Sequence, residues 1–385
     1  MLRKILVKIF FTYVISATIF SIAFYFFAKP ILLPIINKEL QKSFKESSVS
    51  GFRLTKNFIE FQNIEIKRGA LCYFKIKEAR LYYNLNSIVN KKIEKVLLNE
   101  ISAKVDIGRD GLPWLYPFPV VAQKGGSKFS ITKFEVTNIN LDLTKDDIEI
   151  KGNASLQLDI LTGFIDYLKL NNFSLKTNKI EIEGISLSAA QNQEAGKFYI
   201  KAVNYSKLKI GDVIGKSELK GNVLNISPIL VDFLGGSVKG EFNVMLNLDM
   251  NYNLRLSSQG MEIKRFVNDM KFNEKLDMTG MLDGEFYLSG KTGEIKDIKG
   301  NFHTDNSGGV LVIKDKTFLK NIAKQANQPL DIIVESFRNY NYNNGMISLA
   351  IENNNLIMDM KLNGKAGKRN LTAVLHDFKK EKEKR

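Results

Sequence analysis

Two short fragments carry the residue types of a phosphate-binding loop. Gly215-Lys216-Ser217 and Gly290-Lys291-Thr292 match the last three positions of G-x-x-x-x-G-K-[ST], in which loop amides and a lysine cradle phosphate. The glycine required five positions earlier is Ile210 in one case and Glu285 in the other. Both fragments therefore read as turns. His303-Thr304-Asp305 has the makings of a metal or triad fragment. One histidine and one carboxylate cannot supply three zinc ligands, and the second histidine, His376, is far along the chain. No G-x-S-x-G nucleophile elbow occurs. Cys72 is the single cysteine, which excludes a disulfide framework and a zinc site built on several cysteines. The sequence thus offers no catalytic residue, no cofactor site and no metal site, and the reading is that the protein is not an enzyme.

The charge balance points to surfaces rather than to chemistry. Lys and Arg number 56 against 41 Asp and Glu, a net +15. A basic balance attracts polyanions. The lysines, however, are scattered over polar faces instead of clustered, and Lys, Asn and Ile are abundant together, so a nucleic-acid partner is not expected. A length of 385 residues, 44 % of them hydrophobic, is enough for two or three domains or one elongated body.

The elements that would position any site begin with a membrane segment. From Ile9 to Ala28 run 20 residues without a charge, with Phe10, Phe20, Phe24 and Phe27 among them. At 1.5 Å per residue this is about 30 Å, the thickness of a bilayer core. Arg3, Lys4 and Lys8 precede it and favour a cytoplasmic N-terminus. A cleaved signal peptide ending at Ser21-Ile22-Ala23 is the competing reading; the apolar run continuing through Phe27 favours a retained anchor. Leu32, Ile36, Leu40 and Phe44, with Ile35 beside them, then form the apolar stripe of an amphipathic helix that covers one end of the body beyond it.

From about residue 58 the period becomes two. Ile64/Ile66, Phe74/Ile76, Ile101–Ile107, Ile139–Leu143 and many later sets alternate with polar residues, and turn residues separate them. Few helical stretches intervene, so antiparallel meanders are expected rather than βαβ units. The cleanest alternation places Val238, Phe242, Val244, Leu246, Leu248, Met250, Tyr252, Leu254 and Leu256 on one face, with Asn243, Asn253 and Arg255 on the other. The segment is too long for one strand, so a turn near Asn247–Asn251 is expected, with three or five loop residues to preserve the parity. Near the C-terminus the parity flips across Glu352–Asn355, as a four-residue hairpin loop would require. Short helices are expected at Ile263/Phe266/Val267/Met270, at Phe318/Leu319/Ile322/Ala323 with Asp315 as N-cap, and after Pro329 with Ile332, Ile333 and Phe337 buried.

The cadence of Leu224-Asn-Ile-Ser, Leu234-Gly-Gly-Ser-Val-Lys-Gly240 and Leu276-Asp-Met-Thr-Gly280-Met-Leu-Asp-Gly284 resembles that of the AsmA-like superfamily of envelope proteins. The C-terminal part is closest to its YdbH branch, also described as a dicarboxylate-transport-type domain. Gly308-Gly309-Val310, the helix Leu330–Phe337, Arg338-Asn-Tyr340-Asn-Tyr342 and Leu356–Gly364 carry that likeness, and Phe61–Ile66 and Leu81–Leu85 fit it too. The resemblance covers residues 1–110 and 218–378 and rests on glycine and hydrophobic cadence, not on catalytic signatures. It implies a β-groove protein anchored in the inner membrane of a diderm bacterium, with its body in the periplasm, passing phospholipid toward the outer membrane.

The expected architecture is mostly β with few α. A cytoplasmic tip and transmembrane anchor (1–30) precede an amphipathic helix with AsmA-like strands (31–112). A Pro/Gly-rich loop (113–128), a meander (129–217), a C-terminal β-groove with short capping helices (218–378) and a charged tail (379–385) follow. A long twisted antiparallel sheet would form an open groove. Phe242, Val244, Leu246, Leu248, Tyr252, Leu254 and Leu256 are the candidates for lining it against phospholipid acyl chains. The expected partners are the membrane, phospholipid, and another envelope protein or a second copy. The alternative is a membrane-tethered scaffold for outer-membrane assembly whose apolar faces are all packed.

Overall fold

The structure is a computed structural model that describes residues 30–42, 44–68, 72–106, 130–145, 147–205, 208–247, 249–291 and 294–376. The expected anchor with Ile9, Phe10, Phe20, Phe24 and Phe27, the loop 113–128 and the tail 379–385 lie outside the described residues. Among the described residues, no helix is long and apolar enough to cross a membrane. Strands account for 68 % of the described residues, and the chain divides into two compact units, Met1–Leu168 and Lys169–Arg385.

The first unit begins with helix α1 (30–42) and strands β1 (Glu46–Leu54), β2 (Phe58–Arg68) and β3 (Cys72–Tyr82). Helix α2 (Leu85–Val89), β4 (Lys92–Asp106), β5 (Ser130–Lys145) and β6 (Ile148–Asp159) follow, and β7 (Phe164–Lys176) carries the chain into the second unit. Strands β1 to β4 pair in sequence as antiparallel neighbours. The expectation of a wholly antiparallel sheet fails at one join: β5 lies parallel to β4, with Lys92 opposite Ser130 and Asp106 opposite Thr144. A parallel neighbour needs a connection long enough to return to the starting end. The chain between Asp106 and Ser130 supplies it, since β4 is about 46 Å long and those residues can span roughly 80 Å.

The apolar residues of this unit lie together. Ile76, Ala79, Val96, Leu98, Ile101 and Val136 form one buried cluster, with Phe61, Ile64 and Ile139 against it. The alternation slips by one at Asn63, Glu100 and Asn138, which take left-handed φ of 49°, 52° and 55°. Each left-handed residue turns the side-chain alternation over, so Phe61 and Ile64, Leu98 and Ile101, and Val136 and Ile139 share a face although they are three apart.

Helix α1 is fastened to the outer edge of β1. The Asn37 side chain accepts from Val49 N–H (2.6 Å) and donates to Val49 C=O (3.0 Å), and Gln41 Nε2 donates to Ser47 C=O (3.1 Å). The amide of Asn37 thereby replaces one residue of a missing neighbour strand. Leu32, Ile36 and Leu40 are half-buried, as the stripe requires, whereas Ile35 is exposed.

In the second unit β8 (Ile180–Ala190), β9 (Gly196–Tyr205), β10 (Leu208–Lys220), β11 (Val223–Phe233), β12 (Gly236–Met245) and β13 (Tyr252–Glu262) come first. Helix α3 (Ile263–Asp269), β14 (Leu276–Met278), β15 (Met281–Lys291), β16 (Glu294–Thr304) and β17 (Gly309–Ile313) follow. The chain ends with α4 (Lys316–Ala326), α5 (Leu330–Arg338), β18 (Tyr340–Tyr342), β19 (Asn344–Glu352), β20 (Asn355–Gly364) and β21 (Gly367–Leu375). Eighteen strands belong to the main sheet; β14, β17 and β18 form a separate small one. The expected boundary at 217/218 falls inside β10. From β8 to β13 each strand pairs antiparallel with the next, and β13–β15–β16–β19–β20–β21 continue the same way.

Two hairpins refine the expected loops. The β12–β13 loop is closed by Met245 N–H donating to Asn251 C=O (2.8 Å), leaving five residues between them. The β19–β20 loop has two residues, not four, because Glu352 pairs directly with Asn355. Asn353 and Asn354 both take positive φ (47° and 64°), as a type I′ turn demands. An even count flips the parity either way, which is why parity alone could not distinguish them.

Candidate functional site

The residues that could have done chemistry are dispersed. His303 sits exposed on β16, opposite Asp283 and Met346. Asp305 accepts instead from the Ser307 amide and hydroxyl. Gly215-Lys216-Ser217 lies within β10 and opens no helix; Ser217 is fully buried and donates to Ser188 C=O (2.6 Å). Gly290 and Lys291 end β15. Among the described residues no group of three or more His, Cys, Asp or Glu could hold a metal. One depression of about 540 Å³ is lined by Lys239, Glu241, Arg255, Glu285 and Asn301 together with Leu256 and Phe286.

What the second unit does assemble is an apolar face. Its registers place Ile226, Phe242, Leu254, Leu288 and Ile298 in one transverse row from β11 to β16. Gly240, Leu256, Phe286, Gly300, Leu349 and Met358 make the next row, reaching β20. The opposite face carries the pairs Asn243–Asn253 (Nδ2 to Oδ1, 3.4 Å) and Glu241–Arg255 (Oε1 to Nη1, 3.4 Å).

The candidate lining residues divide accordingly. Val244 opposes Tyr252 and Phe242 opposes Leu254, with the Phe242 and Tyr252 rings 6.4 Å apart. Leu256 opposes Gly240 on one side and Phe286 on the other. Val244 is buried; Phe242, Tyr252, Leu254 and Leu256 are half-buried. Burial pushes the Tyr252 phenol above its ordinary pKa. Leu246 is not on a strand: it stands in the β12–β13 loop, its N–H donating to Asn222 C=O (2.7 Å), because the five-residue turn starts there. Leu248 lies outside the described residues.

Glycines belong to this face rather than interrupting it. A Cβ on Gly284 would stand 2.5 Å from Phe302 Cδ1, one on Gly290 2.6 Å from Tyr252 Cζ, and one on Gly240 2.5 Å from Leu256 Cδ2. Each large side chain leans over a neighbouring strand's glycine, so bulk and gap alternate across the ladder. Phe286, Leu288, Phe302 and Leu349 are therefore members that the 238–256 alternation did not include. The signal was present in Leu282-Asp-Gly-Glu-Phe-Tyr-Leu-Ser-Gly290, which alternates cleanly once glycine counts as apolar.

One end of the face is packed over. Ile263, Val267, Met278, Leu311, Leu319 and Phe337 form the heart of a buried cluster of the small sheet and its helices. Leu282, Met360, Leu362 and Leu371 of the main sheet join it. Asp315 caps α4, its Oδ1 accepting from the amides of Thr317 (2.8 Å) and Phe318 (3.2 Å). Ile333 and Phe337 are the buried side of α5, as expected, but Ile332 is 55 % exposed, because the helix turns Leu330 rather than Ile332 toward the cluster. Phe266 and Phe318 likewise point outward. Tyr340 donates to the carbonyls of Leu362 (3.2 Å) and Gly367 (2.5 Å), and Arg369 lies 4.8 Å over its ring. Tyr342 donates to Thr279 C=O, and burial, reinforced by Asp305, pushes its phenol up to about 12.

The fold and site thus define a mostly β protein whose second unit has an apolar sheet face, packed over at one end by the small sheet and its helices. Comparison with known protein families, with curated proteins and with solved structures gives no match.

Proposed function

We propose that the chain is an inner-membrane-anchored, periplasmic β-groove protein that conducts phospholipid, or supports its transport, between the inner and outer membranes. The observation that carries this reading is the state of the β11–β13 face. Leu224, Ile226 and Val244 are at most 7 % exposed, while Phe242, Tyr252, Leu254 and Leu256 on the same face are half-buried. A continuous apolar face whose side chains stay partly open suits acyl chains. The glycine cadence shared with the AsmA-like superfamily supports the same reading, and the uncharged run Ile9–Ala28 supports the anchor. No catalytic group, cofactor or metal has a part in it.

The alternative is a tethered scaffold whose apolar faces are packed throughout, as the C-terminal cap already is. Photo-crosslinking probes at Leu254 and Leu256 in cells separate the two. Lipid adducts at both, with none at Asn253 or Arg255, are expected for the groove. Equal labelling of both parities, or no lipid at all, would favour the scaffold.

A further inference from the structure

We propose that one end of the first unit rests in the lipid headgroup region, with α2 and the β6–β7 turn inserted as apolar feet. Tracing strand directions locates this end. It carries the β1–β2 turn, α2, the starts of β4 and β5, and the β6–β7 turn, tied by Tyr83 N–H to Asn57 C=O, Ser130 N–H to Lys91 C=O and Ile160 N–H to Thr132 C=O. With neighbouring strands about 5 Å apart, α2 and the β6–β7 turn are separated by roughly 15 Å.

Turns at sheet ends ordinarily carry polar residues. Here Leu85, Val89 and Leu161 are 85 %, 80 % and 67 % exposed, and Ile88, Ile160 and Phe164 are exposed beside them. Both feet are built structures. Helix α2 is held by a reciprocal cap in which Ser87 N–H donates to Asn84 Oδ1 (2.7 Å) and Asn84 N–H to Ser87 Oγ (2.6 Å). The β6–β7 turn is held by Asp159, whose Oδ1 accepts from the amides of Leu161 (2.9 Å) and Thr162 (3.1 Å). Of the large exposed apolar residues described in this unit, Ile148 alone stands at the opposite end.

The occupant is set by where the chain goes. Asn37 lies beside Val49 and Gln41 beside Ser47, so α1 runs antiparallel to β1 and its first residue points to this same end. Ile31 and Ile35 are exposed there, and the 20 uncharged residues Ile9–Ala28 immediately precede. A segment of bilayer length would bring the membrane to this end. The tips are flanked by exposed Lys56 and Lys91, with Glu94 also exposed beside α2. Apolar tips with flanking lysines suit an interface containing anionic lipid.

The docking rests on the membrane tether proposed above, not on lipid conduction. The full chain with Cys72→Ser and a single cysteine at position 85, 161 or 148 (L85C, L161C, I148C) is reconstituted into vesicles of phosphatidylethanolamine and phosphatidylglycerol and spin-labelled. Collision with lipid-soluble oxygen is compared with collision with an aqueous nickel chelate. The oxygen-to-nickel ratio is expected to be severalfold higher at 85 and 161 than at 148. Equal ratios at the three sites overturn the docking and leave the tether intact. Labels at 85 and 161 shielded from both reagents indicate a protein contact and overturn it as well. A chain that does not float with the vesicles overturns both docking and tether, and lipid crosslinking at Leu254 then stands or falls separately.

Discussion

Replacing Asn37 with alanine should unfasten the first strand. The side chain makes two hydrogen bonds with Val49, a residue only 4 % exposed, so water cannot easily replace them. Two such bonds contribute about 1 kcal/mol each, and a buried N–H left unpaired adds a further cost, for a total of about 2–3 kcal/mol. Because β1 is the first strand of its ladder, the loss should appear as local opening rather than global unfolding. At about 1.4 kcal/mol per factor of ten, amide exchange in β1 should accelerate roughly 30- to 140-fold. Hydrogen-exchange mass spectrometry of peptides covering Glu46–Leu54 reads this directly, with β8–β13 as internal control. Asn37→Asp keeps the acceptor for Val49 N–H but sets a carboxylate oxygen against Val49 C=O, so it should not restore protection. Wild-type exchange rates in Asn37→Ala would refute the view that α1 covers this edge. If the view holds, the variant should also self-associate, since a bare edge strand offers free N–H and C=O groups.

Leu311→Ala, at a position 1 % exposed, should destabilise the second unit by about 2–5 kcal/mol in urea unfolding, whereas Phe318→Ala, on the exposed side of α4, should cost far less. Gly309→Ala places a methyl group 2.7 Å from the Tyr342 ring carbon Cζ and against Thr279 C=O, so it should loosen the small sheet by about 1–3 kcal/mol and raise protease sensitivity around residues 305–343. The neutral Tyr342 phenol is favoured in the folded state up to about pH 12, while the unfolded chain loses that proton near 10. Stability should therefore fall as pH rises through that window and be unaffected by this group below it; Tyr342→Phe should remove that part of the slope, measured by urea titration at pH 9 and about 11.

Much of the strand content and both faces of 238–256 are legible in the sequence, because a half-buried strand prints its burial with period two. The places where the reading breaks are conformational. Asn63, Glu100 and Asn138 adopt left-handed φ inside strands, so one continuous strand looks like two short ones. An apolar step of three with an intervening Asn, as in Phe61–Ile64 and Val136–Ile139, is the signal that went unread. The parallel β4–β5 join was equally hidden, since alternation carries no strand direction. On the candidate face, treating glycine as turn material concealed the β15 and β16 members. The side-chain fastening of β1 by Asn37 has no sequence signature of its own, because any polar residue on an amphipathic helix looks solvated.

The β17–α4–α5–β18 segment is inserted between two strands that pair with each other, β16 and β19, and this has a kinetic consequence. Most neighbours in the second unit meet through loops of a few residues and can zip locally. Bringing β19 to β16 closes a loop of residues 305–343, whose entropy exceeds that of a two-residue hairpin by about 2–3 kcal/mol. Contacts of such separation form late in folding. Once formed, they are locked by Gly345 N–H donating to Thr304 Oγ1 (2.7 Å) in a buried setting. During synthesis β8 to β16 would emerge and pair well before β19 exists, leaving β16 as a temporary raw edge. The inserted segment, emerging next, is the first part of the chain available to shield that edge until its permanent neighbour arrives.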